Sequence, residues 1–276
     1  MKTNIFGRIL YYIGLVIIGG IAFLPLYYLV VTTFKTPEEA ALSPLGLPQS
    51  WSLENYVRAL EEMNYLQALT NNLIITVSAV ILLIVFASMA AYVIARSKKK
   101  IYNVMFLIFL VGLIIPFQVA IVPLYSIISG LGIMNTHLGV IIISVFCINM
   151  PLSIFLLRGF VGTVPIELEE AAYIDGAGTF KTFWLVVFPL LKPIVVTLVI
   201  LNTLAIWNDF LTPLLFLQSP EKAVLLQEVY KNVGPFSTNW TSFFPMLVMS
   251  VLPLVVFYLL LQRKVMEGVV TGAVKG

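Results

Sequence analysis

Hydrophobic and polar positions do not alternate along this chain; they come in blocks. Residues 9–34 carry no Asp, Glu, Lys or Arg, nor do 101–157, and long apolar runs also occupy about 69–95, 194–217 and 242–261. About 20 apolar residues cross a bilayer as a helix, so each shorter run predicts one span and 101–157 predicts two. The division within 101–157 falls at Ser129-Gly130-Leu131-Gly132 through Gly139, where glycine and polar residues gather. The pattern predicts an all-α polytopic membrane protein with six transmembrane helices in a single domain over residues 1–276. The first run is too long for the apolar core of a cleaved signal peptide, and no small-residue cleavage pattern follows it. It is therefore expected to be a retained span, kinked at Pro25.

Composition agrees with the blocks. The 276 residues are 60% hydrophobic and 11% charged, and mean hydropathy is +1.02. Soluble domains carry about 25% charged residues, so a large soluble core is excluded. Cys147 is the sole cysteine and His137 the sole histidine. An internal disulfide and a multi-cysteine metal site are excluded, and a packed thiol is the expected state of Cys147. No nucleophile–base or metal constellation for an intramembrane enzyme can be assembled from these residues.

Basic residues set the expected orientation. With the N-terminus inside, Lys2, Arg8, Arg96, Lys98, Lys99, Lys100, Arg158, Lys181, Lys192, Arg263, Lys264 and Lys275 lie in cytoplasmic segments, against Lys35, Arg58, Lys222 and Lys231 outside. Both termini are then cytoplasmic. The segment 159–192 is a cytoplasmic loop, and 35–68 and 218–241 are extracytoplasmic loops.

The cytoplasmic loop is polar where its surroundings are apolar. Pro165 suits a first helical turn, and Glu167, Glu169 and Glu170 follow near the positive end of the helix dipole. The helix continues through Ala171, Ala172 and Tyr173 and is expected to stop at Gly176, a typical left-handed C-terminal cap. Thr179 is then placed to cap a second short helix running through Val187 to Pro189. Alanines on the first helix permit close approach to a partner; the alternative is a solvated helix resting on the bilayer surface.

Within the spans, Asp209 stands out, since a buried acid costs about 2.5–3.5 kcal/mol on insertion scales. In a continuous fifth helix Asn202, Ile206, Asp209 and Pro213 would share one face, with Asn208 beside it, and Asn149 and Gln118 could join it. For Asn149 and Gln118, interhelical hydrogen bonding is preferred over pathway lining; for Asn202, Asn208 and Asp209 the preference reverses. Trp184, Trp207 and Trp240 offer flat faces on which a ring could stack, though Trp240 also suits an interfacial aromatic belt. Asn239-Trp240-Thr241 matches a glycosylation acceptor by chance.

Glu170-Ala171-Ala172, Gly176, then Val186, Phe188 and Pro189 reproduce the Glu-Ala-Ala…Gly…hydrophobic-x-hydrophobic-Pro motif of the membrane subunits of binding-protein-dependent ABC importers. Val186 and Phe188 replace the usual Ile and Leu and remain hydrophobic. Asp175-Gly176-Ala177, Trp207-Asn208-Asp209-Phe210 and the ending Gly268 to Gly276 resemble the carbohydrate branch, in particular maltose-type subunits. The resemblance spans essentially the whole chain and implies a type I importer permease of a bacterial or archaeal cell membrane. It implies that Glu167, Glu170, Ala171, Ala172, Asp175, Gly176 and Ala177 form a coupling helix that docks in an ATPase cleft. It further implies a tail, with Gly272, Lys275 and Gly276, that reaches between two ATP-binding subunits. The implied partners are those two subunits, a second homologous permease subunit, an extracytoplasmic solute-binding protein and membrane lipid, with no nucleic acid. No Gly-x-x-x-x-Gly-Lys-Ser/Thr motif occurs, so the chain is expected to bind no cofactor, ATP and Mg residing on the partners. A permease for glycerol phosphate, amino acids or polyamines is the nearest alternative. A stand-alone secondary transporter would have no use for the Glu-Ala-Ala loop.

Overall fold

The computed structural model describes residues 5–232 and 239–273, and it is helical throughout, with no strand among the described residues. Backbone contacts divide the chain into two compact units, one of 1–66 with 228–252, the other of 67–227 with 253–276.

The first unit begins with α1 (Ile5–Thr32), which contains Pro25. The apolar stretch of this helix buries nothing inside the chain. Its far end is held by a folded loop. Lys35 is fully buried, and its Nζ donates to the carbonyls of Ser43 and Pro44 at 2.7 and 3.1 Å. The Asn55 amide donates to the carbonyls of Thr33 and Lys35. These bonds satisfy backbone groups that would otherwise be orphaned where the helix stops. Within the loop, α2 (Pro37–Leu42) starts with Pro37 in its first turn, and the Thr36 hydroxyl accepts from the Glu39 N–H. α3 (Glu54–Glu62) follows and ends before Asn64, whose φ is 45°.

The second unit is built on α4 (Tyr65–Arg96), 32 residues without Pro or Gly. Its buried stripe includes Ile75, Ala79, Leu83, Ala87, Ser88 and Ala91, at the three-and-four spacing of one helical face. Alanine and serine there let neighbouring backbones approach closely, the usual device of helix packing in lipid. α5 (Lys100–Ile114) stops because Pro116 forces Ile115 into extended backbone. A 3₁₀ turn over Phe117–Ala120 leads into α6 (Ile121–Gly130), and the two helices are bent by 101°.

α7 (His137–Ile142) is capped by the Thr136 hydroxyl and passes through a π-helical turn, Ile143–Asn149, into α8 (Met150–Val161). The wide turn has a local reason: Pro151 has no N–H for the carbonyl four residues back, so the ladder opens before it. α5 lies along α8, with Phe106 stacked on Phe155 and the Arg158 guanidinium 4.1 Å over the Phe106 ring.

The following loop holds α9 (Glu167–Ile174) and α10 (Thr179–Thr182), then a second π turn, Phe183–Val187, and α11 (Phe188–Leu190). This π turn also precedes a proline, Pro189. After a 77° bend at Leu191 comes α12 (Lys192–Trp207), then α13 (Leu211–Phe216) and α14 (Leu225–Lys231). The long α15 (Trp240–Ala273) has its first part, to Leu252, in the first unit. There the Tyr65 hydroxyl donates to the Met249 carbonyl, and Phe244 packs edge-on to Tyr28.

Among the described residues four helices are long and apolar enough to span a membrane, or six if each bent pair is one span. The count reaches the six expected spans only if both bent pairs are spans, and the second pair, Thr179–Leu190 with Lys192–Trp207, includes α10 and α11 of the expected loop 159–192 rather than matching the expected span 194–217. The fifth departs further: α12 ends at Trp207, and Asn208 to Phe210 break the helix before α13. Asp209 and Pro213 consequently do not continue the face of Asn202 and Ile206. The expected glycine break between the third and fourth spans is seen, with α6 ending at Gly130 and α7 starting at His137. Cys147 is a further correction. It lies in the first π turn and is exposed on the chain surface rather than packed inside.

Candidate functional site: the α9–α10 elbow

α9 starts at Glu167 with Ile166 as its N-cap, so Pro165 precedes the helix rather than joining its first turn, and Glu167, Glu169 and Glu170 occupy that turn, where carboxylates face the positive end of the dipole. Its C-terminus is a Schellman turn. Gly176 takes φ +83°, its N–H donates to the Tyr173 carbonyl at 3.0 Å, and the Ala177 N–H reaches back to Ala172 at 2.9 Å. Gly178 rather than Thr179 occupies the cap position of α10, without a side-chain cap.

The elbow turns apolar groups outward. Ile174 is 87% exposed and Phe180 66%, and Ile166, Leu168 and Tyr173 are also exposed. Glu167, Glu170, Ala171, Asp175 and Gly176 face solvent too, while Ala172 and Ala177 are half-buried. Sequence-predicted docking residues are thus gathered on one short, accessible helix and its turn. Trp184 belongs to this elbow as well, packed among Phe180, Phe183 and Phe188, which uses its ring for packing and not for a ligand.

One residue of the helix points the other way. Glu169 is 3% exposed. Its Oε1 accepts from Arg96 Nε at 2.7 Å and its Oε2 from the Tyr92 hydroxyl at 2.7 Å. Arg96 Nη2 in turn donates to the Val164 carbonyl at 2.7 Å. A buried carboxylate persists when it is paired and hydrogen-bonded, and here both oxygens are occupied. The cluster borders an open cleft of 470 Å³ lined by Tyr92, Arg96, Lys99, Glu169, Glu170 and Tyr173. Sequence reading noted Glu169 only as one of three acids, and nothing in that run distinguishes it from Glu167 and Glu170.

The polar residues considered for a pathway are dispersed. Asn149 Nδ2 donates to the Ser144 carbonyl inside the π turn. Asn202 Nδ2 donates to Leu198 O and to Ser153 Oγ, joining α12 to α8. Asn208 is exposed and bonds back to Leu204. Asp209 Oδ1 accepts the Thr212 N–H at 3.1 Å, capping α13. Gln118 is exposed in the 101° bend. A separate cavity of 420 Å³ between α4, α12 and α15 is lined almost wholly by apolar residues such as Leu73, Ile81, Leu254 and Phe257.

Near the other end of α4, the segment 217–224 is stapled in place. Asn135, at φ +54°, accepts with Oδ1 from the N–H groups of Gln218 and Ser219, and Lys222 Nζ donates to its carbonyl. Asn71 Nδ2 donates to the carbonyls of Glu221 and Ala223, both at 2.9 Å, and Gln67 to Glu221. Residues 233–238 of the expected loop 218–241 lie outside the described residues. So do Lys275 and Gly276 of the tail; Gly272 is within helical backbone, since α15 continues to Ala273.

Six spans at most, an apolar scaffold and an exposed Glu-Ala-Ala elbow define the membrane component of a transport system. Residues 83–266 match the family described as binding-protein-dependent transport system inner membrane component, and the chain belongs to that family. It is 38% identical over 255 residues to the melibiose/raffinose/stachyose import permease protein MelC of Bacillus subtilis, covering 92% of each chain. It is 34% identical over 257 residues to the probable starch degradation products transport system permease protein AmyC of Thermoanaerobacterium thermosulfurigenes, covering 91% of each. Its fold is similar to a chain in the crystal structure of a bacterial ABC transporter involved in import of the acidic polysaccharide alginate. There the TM-score is 0.83 at 21% identity, over 95% of this chain and 99% of that one. The chain is therefore a multi-pass permease subunit of an ABC importer.

Proposed function

We propose that this permease carries a carbohydrate, most simply an oligosaccharide, across a bacterial or archaeal cell membrane, and that α9 couples its movement to ATP hydrolysis on partner subunits. The sugar reading is supported by the relatives, whose names specify melibiose, raffinose, stachyose and starch degradation products. The observation that carries the coupling reading is the elbow: an exposed helix with a rigid Schellman end and outward Ile174 and Phe180. In this arrangement two ATP-binding subunits hold ATP and Mg, and each membrane subunit inserts its elbow into one of them. A second, homologous permease completes the path, and an extracytoplasmic binding protein delivers substrate.

Both termini and the 159–192 segment are cytoplasmic in this reading, as the distribution of lysine and arginine supports. Loops 35–68 and 218–241 then face outside, and the second of these contacts the binding protein. Glu170 pairs with a basic group of the ATPase cleft, while Ala171 and Ala172 permit close approach and Asp175, Gly176 and Ala177 end the helix sharply. Lining of the path falls to the accessible polar groups at helix breaks, Gln118, Asn208 and Asp209. Asn149 and Asn202 contribute by holding α7, α8 and α12 in register around it. The tail, with Gly272, Lys275 and Gly276, reaches the ATPase pair.

Reconstitution tests the reading. The chain, its partner permease and the ATPase are assembled in proteoliposomes with the binding protein inside or outside, and labelled raffinose, glycerol 3-phosphate and an amino acid are offered. ATP-dependent uptake of raffinose that fails with Glu170→Lys is the expected result. Uptake of only the phosphate or amino acid would overturn the substrate class, and unchanged uptake with Glu170→Lys the coupling role.

A further inference from the structure

Of the helices long enough to span alone, α4 is the one with neither Pro nor Gly among the described residues; the others contain Pro25, Pro151, or Pro245 and Pro253. Kinks and hinges in long helices arise at such residues. α4 is therefore an unbroken rod, and polar groups grip it at both ends. At one end Arg96 and Tyr92 hold both oxygens of Glu169, and the Tyr92 ring lies 5.1 Å from Phe183 in the second arm of the elbow. At the other, Asn71 and Gln67 hold the carbonyls of Glu221 and Ala223. The two grips are separated by about 37 Å of helix, at 1.5 Å for each residue from Asn71 to Arg96.

We propose that Glu169 and Arg96 are positioning residues that clamp the elbow to α4, so that displacement of α9 by the ATPase moves the rod and with it the outer segment 217–224. The proposal rests on the reading of α9 as the docking helix. A buried, doubly held carboxylate suits this task. An exposed ion pair would slip, being worth little against water and salt, whereas a buried pair is strongly disfavoured from separating. Asn135 extends the outer grip, because its bonds to Gln218, Ser219 and Lys222 make 217–224 move as one piece.

The test is made on the full reconstituted complex in a Cys147→Ser background, with Gln218→Cys as a thiol reporter on the outer segment. Maleimide labelling of that thiol is expected to change with ATP binding, and binding protein to stimulate ATP hydrolysis. Glu169→Ala with Arg96→Ala removes both charges together. It is expected to leave assembly and basal hydrolysis in place while stimulation and the labelling change fall roughly tenfold, the scale of a coupling between two sites. The reversed pair, Glu169→Arg with Arg96→Glu, should recover part of both. Stimulation and labelling unchanged in the double alanine variant would overturn the clamp. If that variant does not assemble, Asn71→Ala decides: loss of the labelling change with stimulated hydrolysis intact supports the rod, and an unchanged response overturns it. Gly176→Val separates the two readings. If it uncouples transport beside a silent clamp variant, the clamp alone fails; if it too is silent, the docking assignment fails with it.

Discussion

Replacing Gly176 by valine isolates one physical quantity, the conformation of a single residue at the end of α9. Gly176 sits at φ +83°, and a Cβ built there meets nothing within 4 Å. The substitution therefore creates no clash with neighbouring groups, and its whole penalty is the left-handed backbone, about 1–2 kcal/mol for an ordinary L-residue and more for a β-branched one. Relief by rotating out of that region would break the bonds from the Gly176 and Ala177 N–H groups to Tyr173 and Ala172, each contributing about 0.5–1.5 kcal/mol. Either way the turn is destabilised by at least about 1–2 kcal/mol, enough to lower the fraction in the native turn about 5- to 30-fold or more relative to alternatives.

Gly178 is the matched control. It lies two residues away with φ −76°, and a Cβ there also meets nothing within 4 Å. Gly178→Val should therefore be nearly silent, while Gly176→Asn should fall between, since asparagine visits the left-handed region. The assay is binding-protein-stimulated ATP hydrolysis and sugar uptake in proteoliposomes, with co-purification of the ATPase as the measure of assembly. Stimulated hydrolysis and uptake should drop together in Gly176→Val. Equal activity of Gly176→Val and Gly178→Val would refute the argument that the turn's backbone sets the docking geometry.

Three further outcomes are expected. A Cβ at Gly139 would stand 2.5 Å from the Ile133 carbonyl oxygen, so Gly139→Ala should destabilise the start of α7 by about 1–3 kcal/mol, read as a lower unfolding temperature in detergent; a wild-type transition would disprove the contact. Asp209→Ala removes the bond to the Thr212 N–H and should lose about 1 kcal/mol of stability, whereas Asp209→Asn keeps the cap and should change only the KM of uptake; identical melting of the two would deny the capping role. Deleting the last eight residues should leave insertion intact but impair uptake or uncouple hydrolysis, and full activity of the truncated chain would return the tail to an ornament.

Much of the fold was legible because lipid imposes a coarse, strong rule. A span needs some 20 apolar residues and tolerates few charges, so α1, α4 and the apolar stretch Trp240–Gln262 of α15 could be placed within a few residues. The elbow was legible for a different reason. Gly176 is a residue of narrow conformational meaning and ends α9 as expected, whereas Pro165 lies two residues before its first turn. The breaks inside spans were not legible. Pro151 is tolerated in a membrane helix, where the freed backbone groups are satisfied locally, and nothing in composition says whether the ladder will kink, widen into a π turn or stop. The same ambiguity made Asp209 look like a mid-helix acid when it caps α13 after a break.

Glu169 shows where pattern reading ends and packing begins. Glu167, Glu169 and Glu170 are chemically alike and share one turn, so the sequence presents them as one acidic first turn. What separates them is a partner 73 residues away: Arg96 at the end of α4 lies within 2.7 Å of one carboxylate and of no other. If α9 docks on another subunit, as proposed, it needs at least one attachment to its own chain, or docking would move the elbow without moving the spans. An apolar contact could supply cohesion, but apolar surfaces in and near lipid gain little from pairing with one another. A charged pair, taken out of water and closed by a tyrosine hydroxyl, is directional and resists sliding. That is the physical reason for an acid to face inward here, on a helix otherwise built to face out.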